Sequence, residues 1–113
     1  MQLQNKYYEF IRTGTKRIEL RLFDEKRQKI QLGNEIVFMN NSDDSERIHV
    51  RVIGLLRYKS FEELFSDFDI DILADRSMTK EELMSDLSEF YPIEKQEKYG
   101  VLGIRFELVE VWS

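Results

Sequence analysis

The stretch Gly14-Thr15-Lys16-Arg17-Ile18-Glu19-Leu20-Arg21-Leu22 decides how this chain is read. From Arg17 to Leu22, charged and apolar residues alternate strictly, which is the period of a half-buried β-strand. Ile18, Leu20 and Leu22 are therefore expected on a core, with Arg17, Glu19 and Arg21 together on the opposite face. Upstream, Leu3, Tyr7, Phe10 and Ile11 recur at helical spacing, and Gly14 stands where a helix C-cap is wanted. The spacing predicts an amphipathic helix over residues 2–13. A helix end, a glycine and a strand thus bring two or three cations and one carboxylate together.

Downstream, DEKRQKI (24–30) reads as a helical turn or loop, and Leu32-Gly33-Asn34 as a turn into a second strand, 35–40. A polar loop, Asn40-Asn41-Ser42-Asp43-Asp44, leads to a return strand over about 47–58. There Ile48, Val50 and Val52 share one face and His49, Arg51 and Ile53 the other, with Gly54 a bulge or bend. Ser60 with Glu63, and Thr79 with Glu82, form capping boxes that open two helices, the second stopped before Pro92. Residues 100–111 supply a mostly apolar final strand. These elements add up to one α+β domain over residues 1–113, a small curved or barrelled sheet with helices at one side.

Composition narrows the chemistry. The chain has 113 residues, 42% of them hydrophobic and 35% charged, with one proline and no cysteine. A domain of this length buries roughly two thirds of the surface its unfolded chain exposes, enough to stand without staples. The lack of cysteine removes thiolate nucleophiles, thiolate zinc sites and disulfides. No apolar run approaches the roughly 18–20 residues of a membrane span, and the first residues are too polar for a signal peptide, so a cytoplasmic protein without membrane association is expected. The net charge of -5 argues against nonspecific coating of nucleic acid. The charge is uneven, however. Residues 12–29 hold seven basic residues against three acidic ones, while 62–98 hold twelve acids against four bases. An anionic ligand would be steered to the first segment.

Common catalytic and metal motifs fail. Asp67, Asp69 and Asp71 have the first three spacings of an EF-hand loop, but Ile72 and Met78 stand where that loop needs Gly and Glu. The segment reads instead as an acidic amphipathic stretch burying Phe68, Ile70 and Ile72. The single histidine, His49, has no second His or Cys for a zinc site. There is no nucleophile elbow, P-loop or dinucleotide fingerprint. No metal and no cofactor is expected.

The pattern G-x-K-x-x-E-x-R of residues 14–21 is followed by a basic turn and by Leu32-Gly33-Asn34-Glu35-Ile36-Val37-Phe38. Together with Glu89-Phe90-Tyr91-Pro92 and the closing run from Lys98 to Leu108, it resembles the ASCH domain family, and its small bacterial members in particular. The resemblance implies a PUA-like small β-barrel with flanking helices. It also implies a cleft rimmed by the motif, and a ligand that is RNA, a nucleotide or a modified nucleoside.

The residues suit that ligand. Arg21 offers a planar fork for phosphate or a base edge, Lys16 and Arg17 offer further charge, and Glu19 can accept from a base amino group or hold Arg21 in place. The same residues also describe an ordinary charge ladder on an exposed strand. Phe23, Tyr58, Tyr91 and Tyr99 are candidates for stacking, with Tyr91 and Tyr99 favoured because they border Pro92 and Gly100.

The resemblance carries a hydrolase alternative as well. One branch of small ASCH proteins hydrolyses N4-acetylcytidine with a Lys, a Thr and a Glu. Lys16 matches the first, Glu19 stands at the second, and a gapless match puts Arg76 at the third with Asp75 adjacent. A ribonuclease would use Glu19, Lys16 and Arg21 as base and phosphate-stabilising cations. Residues 14–21 alone leave binding and catalysis open.

Overall fold

The computed structural model describes residues 1–112. In chain order the elements are β1 (Gln2–Leu3), α1 (Asn5–Arg12), β2 (Ile18–Leu22), a 3-10 turn (Arg27–Lys29), β3 (Glu35–Asn40) and β4 (Asp43–Tyr58). They continue with α2 (Phe61–Asp67), α3 (Ile70–Leu73), α4 (Lys80–Phe90), α5 (Ile93–Tyr99) and β5 (Val101–Trp112). The five strands form one mixed sheet in the order β1-β3-β4-β5-β2, in which only the β1–β3 pairing is parallel. The α+β class expected from the sequence is the one observed.

The long β4–β5 ribbon is the spine. Its register shifts at His49/Val50 and at Val52/Gly54, and such bulges increase local twist and bend a strand. The sheet curls accordingly into a half-barrel whose edge strands are β1 and β2. Ile48, Val50 and Val52 are buried, as the alternation requires, while Arg51 and Ile53 face out. His49 reaches Glu35 across the β3–β4 pair at 3.5 Å.

Three apolar clusters fill the curl, the smallest of them Val52, Leu102 and Ile104 within the sheet. Ile18, Leu20 and Leu22 of β2 pack with Phe61, Leu64 and Phe65 of α2, with Leu73 and with Leu83. Tyr8 and Ile11 of α1 pack with Phe38, Ile48, Val50 and Phe106. Helix α2 lies so close to β5 that a Cβ on Gly103 would stand 3.1 Å from Leu64 Cδ1 and from Ile18 Cγ2. Of the two predicted capping boxes, Thr79 and Glu82 complete a reciprocal one, while at Ser60 the hydroxyl accepts from Glu63 N but the Glu63 carboxylate accepts from Lys59 N instead of Ser60 N.

Several boundaries differ from the sequence reading. The first helix begins at Asn5 because Gln2 and Leu3 pair with Met39 and Asn40 as an edge strand. It ends as expected, with Gly14 at φ +87, a backbone conformation that favours glycine. Strand β4 starts at Asp43, so the polar loop shrinks to a tight turn. Helix α5 was hidden because Ile93–Tyr99 has no apolar period, only a proline set to enter a helix. The largest departure concerns β2. Its Arg17–Glu19–Arg21 face is not a solvated ladder: Glu19 is buried and Arg21 half-buried, because α1 and α4 close over the strand's free edge.

Candidate functional site

The site lies where the half-barrel fails to close, between the edges β1 and β2. Glu19 and Arg21 come from β2, and Lys16 from the turn that delivers the chain from α1. That turn is held by Lys16 N donating to Phe10 O at 3.1 Å and by Arg17 N donating to Ile72 O at 2.8 Å. Gly14 permits the reversal, which aims the Lys16 side chain inward although its neighbour Arg17 points out.

The Lys16 side chain is only 1% exposed. Its Nζ donates to Ile18 O and to Leu73 O, both at 2.6 Å, and stands 3.5 Å from Glu19 Oε1. Two of the three ammonium N–H donors therefore have main-chain carbonyl acceptors, and Glu19 stands against the charge as an ion-pair partner. The Leu73 contact also ties the end of α3 to β2, with a cation on helix-terminal carbonyls where it is favoured. Burial lowers the Lys16 pKa below the ordinary lysine value, with Arg21 acting in the same direction and Glu19 opposing.

Glu19 is the hub. Its Oε1 accepts from Leu20 N at 3.1 Å and faces Lys16, and its Oε2 accepts from Arg21 Nη2 at 2.8 Å and Nε at 3.1 Å. A carboxylate has about four lone-pair sites; three take hydrogen bonds and the Lys16 charge stands beside the carboxylate. Burial works against its charge, but Arg21 and Lys16, with the hydrogen bonds from Arg21 and Leu20 N, hold the carboxyl below the usual range.

Arg21 has capacity left. Besides its two bonds to Glu19, Nη2 donates to Gln2 O at 2.9 Å and Nη1 to Tyr91 Oη at 3.4 Å. Of five guanidinium N–H groups, one on Nη1 lacks an acceptor, and Tyr91, accepting from Arg21, keeps its own O–H to donate. Both border a cavity of about 140 Å3 lined by Gln2, Tyr7, Glu19, Arg21, Phe90 and Tyr91 among others. Phe90 at its mouth is 54% exposed. On the far wall Tyr7 donates to Asp86, which Lys6 also contacts at 2.9 Å. Burial and that bond to Asp86 push the Tyr7 hydroxyl well above its ordinary pKa, so it is a neutral donor.

The predicted residues therefore divide. Lys16, Glu19, Arg21 and Tyr91 form one connected chain. Arg17 is exposed, donates through Nε to Gly14 O at 3.2 Å, and lines a different groove with Ile53, Arg105 and Leu108; Lys16 also lines that groove and not the seam cavity, which it meets only through Glu19. Tyr99, with Phe23 and Tyr58, lines a cavity of about 710 Å3 at the other end of β2, where the Arg57 guanidinium stacks on Phe23 at 3.9 Å. Asp75 accepts from Ser77 N at 2.9 Å, and neither it nor Arg76 lines the seam cavity. Gln2, Tyr7, Asp86 and Phe90 went unmarked by sequence reasoning. Tyr7 and Phe90 sit inside apolar periodicity that reads as core, and only the Phe90-Tyr91-Pro92 break offered a signal.

A curled, incompletely closed sheet with a buried Lys–Glu–Arg chain at its open seam defines a PUA-like domain. The family model described as "ASCH domain" matches residues 1–110, and this chain belongs to the ASCH domain family, which is generally associated with RNA binding. Two solved structures are similar to it. The crystal structure of hypothetical protein PH0355 is 34% identical, with a TM-score of 0.81 and 96% of each chain covered. The solution structure of protein PF0455 from Pyrococcus furiosus is also 34% identical, with a TM-score of 0.73, 97% of this chain covered and 96% of that one. No curated protein matches the chain. Among the described residues, no helix is long and apolar enough to cross a membrane.

Proposed function

We propose that this protein binds RNA by taking one unstacked base, or a modified nucleoside, into the seam between β1 and β2. The observation that carries this reading is Arg21: its guanidinium is locked by Glu19 and Gln2, yet keeps one N–H without an acceptor, in a cavity that Tyr91 and the exposed Phe90 ring also line. A locked fork with a free donor suits a base edge, and aromatic walls suit a base face. The cavity of about 140 Å3 is well below the roughly 300 Å3 at which pockets for drug-sized ligands begin, so it takes a single ring system. Arg21 and Tyr91 contact the ligand in this reading, Phe90 stacks on it, and Lys16 and Glu19 are positioning residues.

Binding without turnover follows from the same geometry. A general base needs a free lone pair within reach of the substrate. The Lys16 ammonium already donates to two main-chain carbonyls and sits against Glu19, whose carboxylate accepts from Leu20 N and twice from Arg21.

Titration with short single-stranded RNAs and with the free nucleosides tests the proposal. Arg21→Ala weakens the best ligand about 5- to 150-fold, the equivalent of roughly 1–3 kcal/mol for a lost specific contact. Unchanged affinity in a folded Arg21→Ala protein would leave Arg21 a purely structural member of the seam.

A further inference from the structure

A second cavity of about 580 Å3 adjoins the first, and Arg21 and Gln2 line both. Its walls bring Arg21 together with Lys26 and Arg27, two of the cations in the basic segment that the base-binding reading leaves unused. Lys26 is exposed and makes no ion pair among the described residues. Arg27 is held from below: Asp24 accepts from its backbone N at 3.1 Å and from Nη1 at 3.3 Å, which anchors the side chain in the 3-10 turn. The Nε of Arg27 is buried and without a hydrogen-bond partner. A buried donor left unpaired is costly and calls for an explanation. The one acid in the lining, Glu35, is engaged by Arg51 and His49 at 3.5 Å each, so it offsets little of the positive charge facing the cavity.

We infer that this cavity is a phosphate subsite, in which Lys26 and Arg27 hold a phosphate of the nucleotide whose base enters the seam. The inference rests on the base-binding reading above and names its ligand class: a nucleotide or an RNA phosphodiester rather than a free nucleoside. Arg21 sits between base and phosphate, and Lys26 supplies a mobile point charge where Arg27 supplies an anchored one. Arg21, Lys26 and Arg27 are three of the seven basic residues in 12–29, gathered around one cavity in a chain whose net charge is -5.

The test compares each of the four ribonucleosides with its 5′-monophosphate, in wild type, Lys26→Glu and Arg27→Gln proteins. Lys26 is exposed, so reversing its charge leaves the fold intact, while Arg27→Gln keeps a side chain for the turn. The preferred monophosphate binds wild type at least tenfold more tightly than its nucleoside, and both substitutions remove most of that ratio without changing nucleoside affinity. Equal affinity for nucleoside and monophosphate, or a ratio that survives both substitutions, overturns the inference and leaves the base-binding reading standing. A trinucleotide arm separates the sources: an internal phosphodiester gives the same sensitivity to Lys26→Glu in the trinucleotide, and a terminal phosphate gives it only in the mononucleotide. Inorganic pyrophosphate, followed by the amide resonances of residues 24–30, keeps the two failures apart. Shifts there with every nucleoside inert sink the base reading and retain an anion site, whereas no shifts and no phosphate-dependent ratio remove the subsite.

Discussion

The Arg21 guanidinium on β2 donates to the main-chain carbonyl of Gln2 on β1 at 2.9 Å, so the two edges of the sheet are tied by a side chain where a closed barrel would have a backbone ladder. An edge strand presents unpaired backbone groups that a protein must cover. Here one arginine covers part of the edge, and the rest of the gap is the cavity. The groups that close the fold and the groups that line the cavity are therefore the same, and Glu19 links them.

That dual role separates charge from geometry at position 21. Arg21→Lys keeps a cation beside Glu19 but loses the planar fork, so it cannot pair both carboxylate contacts, reach Gln2 O and keep a donor beside Tyr91 at once. The expected outcome is a folded protein whose affinity for RNA falls about tenfold, with a urea midpoint reduced less than in Arg21→Ala. Wild-type affinity in Arg21→Lys would mean that charge alone matters at this position.

Glu19 is expected to contribute to the loss of stability in acid. Its carboxyl lies below the ordinary value of 4.5 in the folded protein, so its contribution is fully present above that value and is lost as the pH falls through the folded one. Glu19→Gln removes the contribution and leaves Lys16 and Arg21 facing one another without a counter-charge, a change of about 3–5 kcal/mol for a broken buried pair. Urea midpoints of wild type and Glu19→Gln, measured from pH 7 to pH 3, should be far apart at neutral pH and converge in acid. A constant gap across that range would show that Glu19 does not titrate with unfolding.

How much of this was legible in the chain depends on the kind of signal. The alternation from Arg17 to Leu22 locates β2 and its core face, and the Ser60 and Thr79 caps locate α2 and α4, because both are local rules of backbone geometry. The spacing of Lys16, Glu19 and Arg21 also led to one place. What it could not show is that the polar face of β2 would be covered, since α4 comes from a distant part of the chain and the way α1 folds back beside the strand is set by tertiary packing. Period-two reading assigns Arg17 to the same face as Glu19, yet Arg17 precedes the strand and turns to Gly14. Tyr99 borders a turn as Tyr91 does, and nothing local reveals that the two line different cavities.

Lys16 bears on the hydrolase alternative. Hydrolysing the amide of N4-acetylcytidine needs an activated nucleophile or water, a positioned proton donor and stabilisation of the oxyanion. Burial does lower the Lys16 pKa, but its ammonium is enclosed by two carbonyls and Glu19, and a carboxylate stands where a neutral hydroxyl would donate. Purified protein is expected to release no acetate from N4-acetylcytidine above the level of its Lys16→Met variant, a substitution that keeps the buried volume. Robust turnover in wild type, abolished in Lys16→Met, would promote the enzyme reading.

Phe90 separates ligand binding from folding most cleanly, because it is 54% exposed while its neighbour Tyr91 packs against Phe61 at 5.9 Å between ring centroids. An exposed aromatic at a cavity mouth contributes little to the core, so Phe90→Ala should leave the unfolding free energy from urea titration within about 0.5 kcal/mol of wild type. If the ring is a stacking wall for a base, the same change weakens RNA binding by roughly 1–3 kcal/mol. Tyr91→Phe makes the complementary change: the ring stays and only the hydroxyl is lost, so the loss in affinity is smaller and depends on whether the base offers an acceptor to that O–H. Phe90→Leu keeps apolar area without a flat π-face, and stacking predicts that it binds nearly as weakly as the alanine variant. Should Phe90→Leu restore wild-type affinity, the contact is hydrophobic cover rather than base stacking, and a ligand without a planar ring becomes the better occupant of the seam.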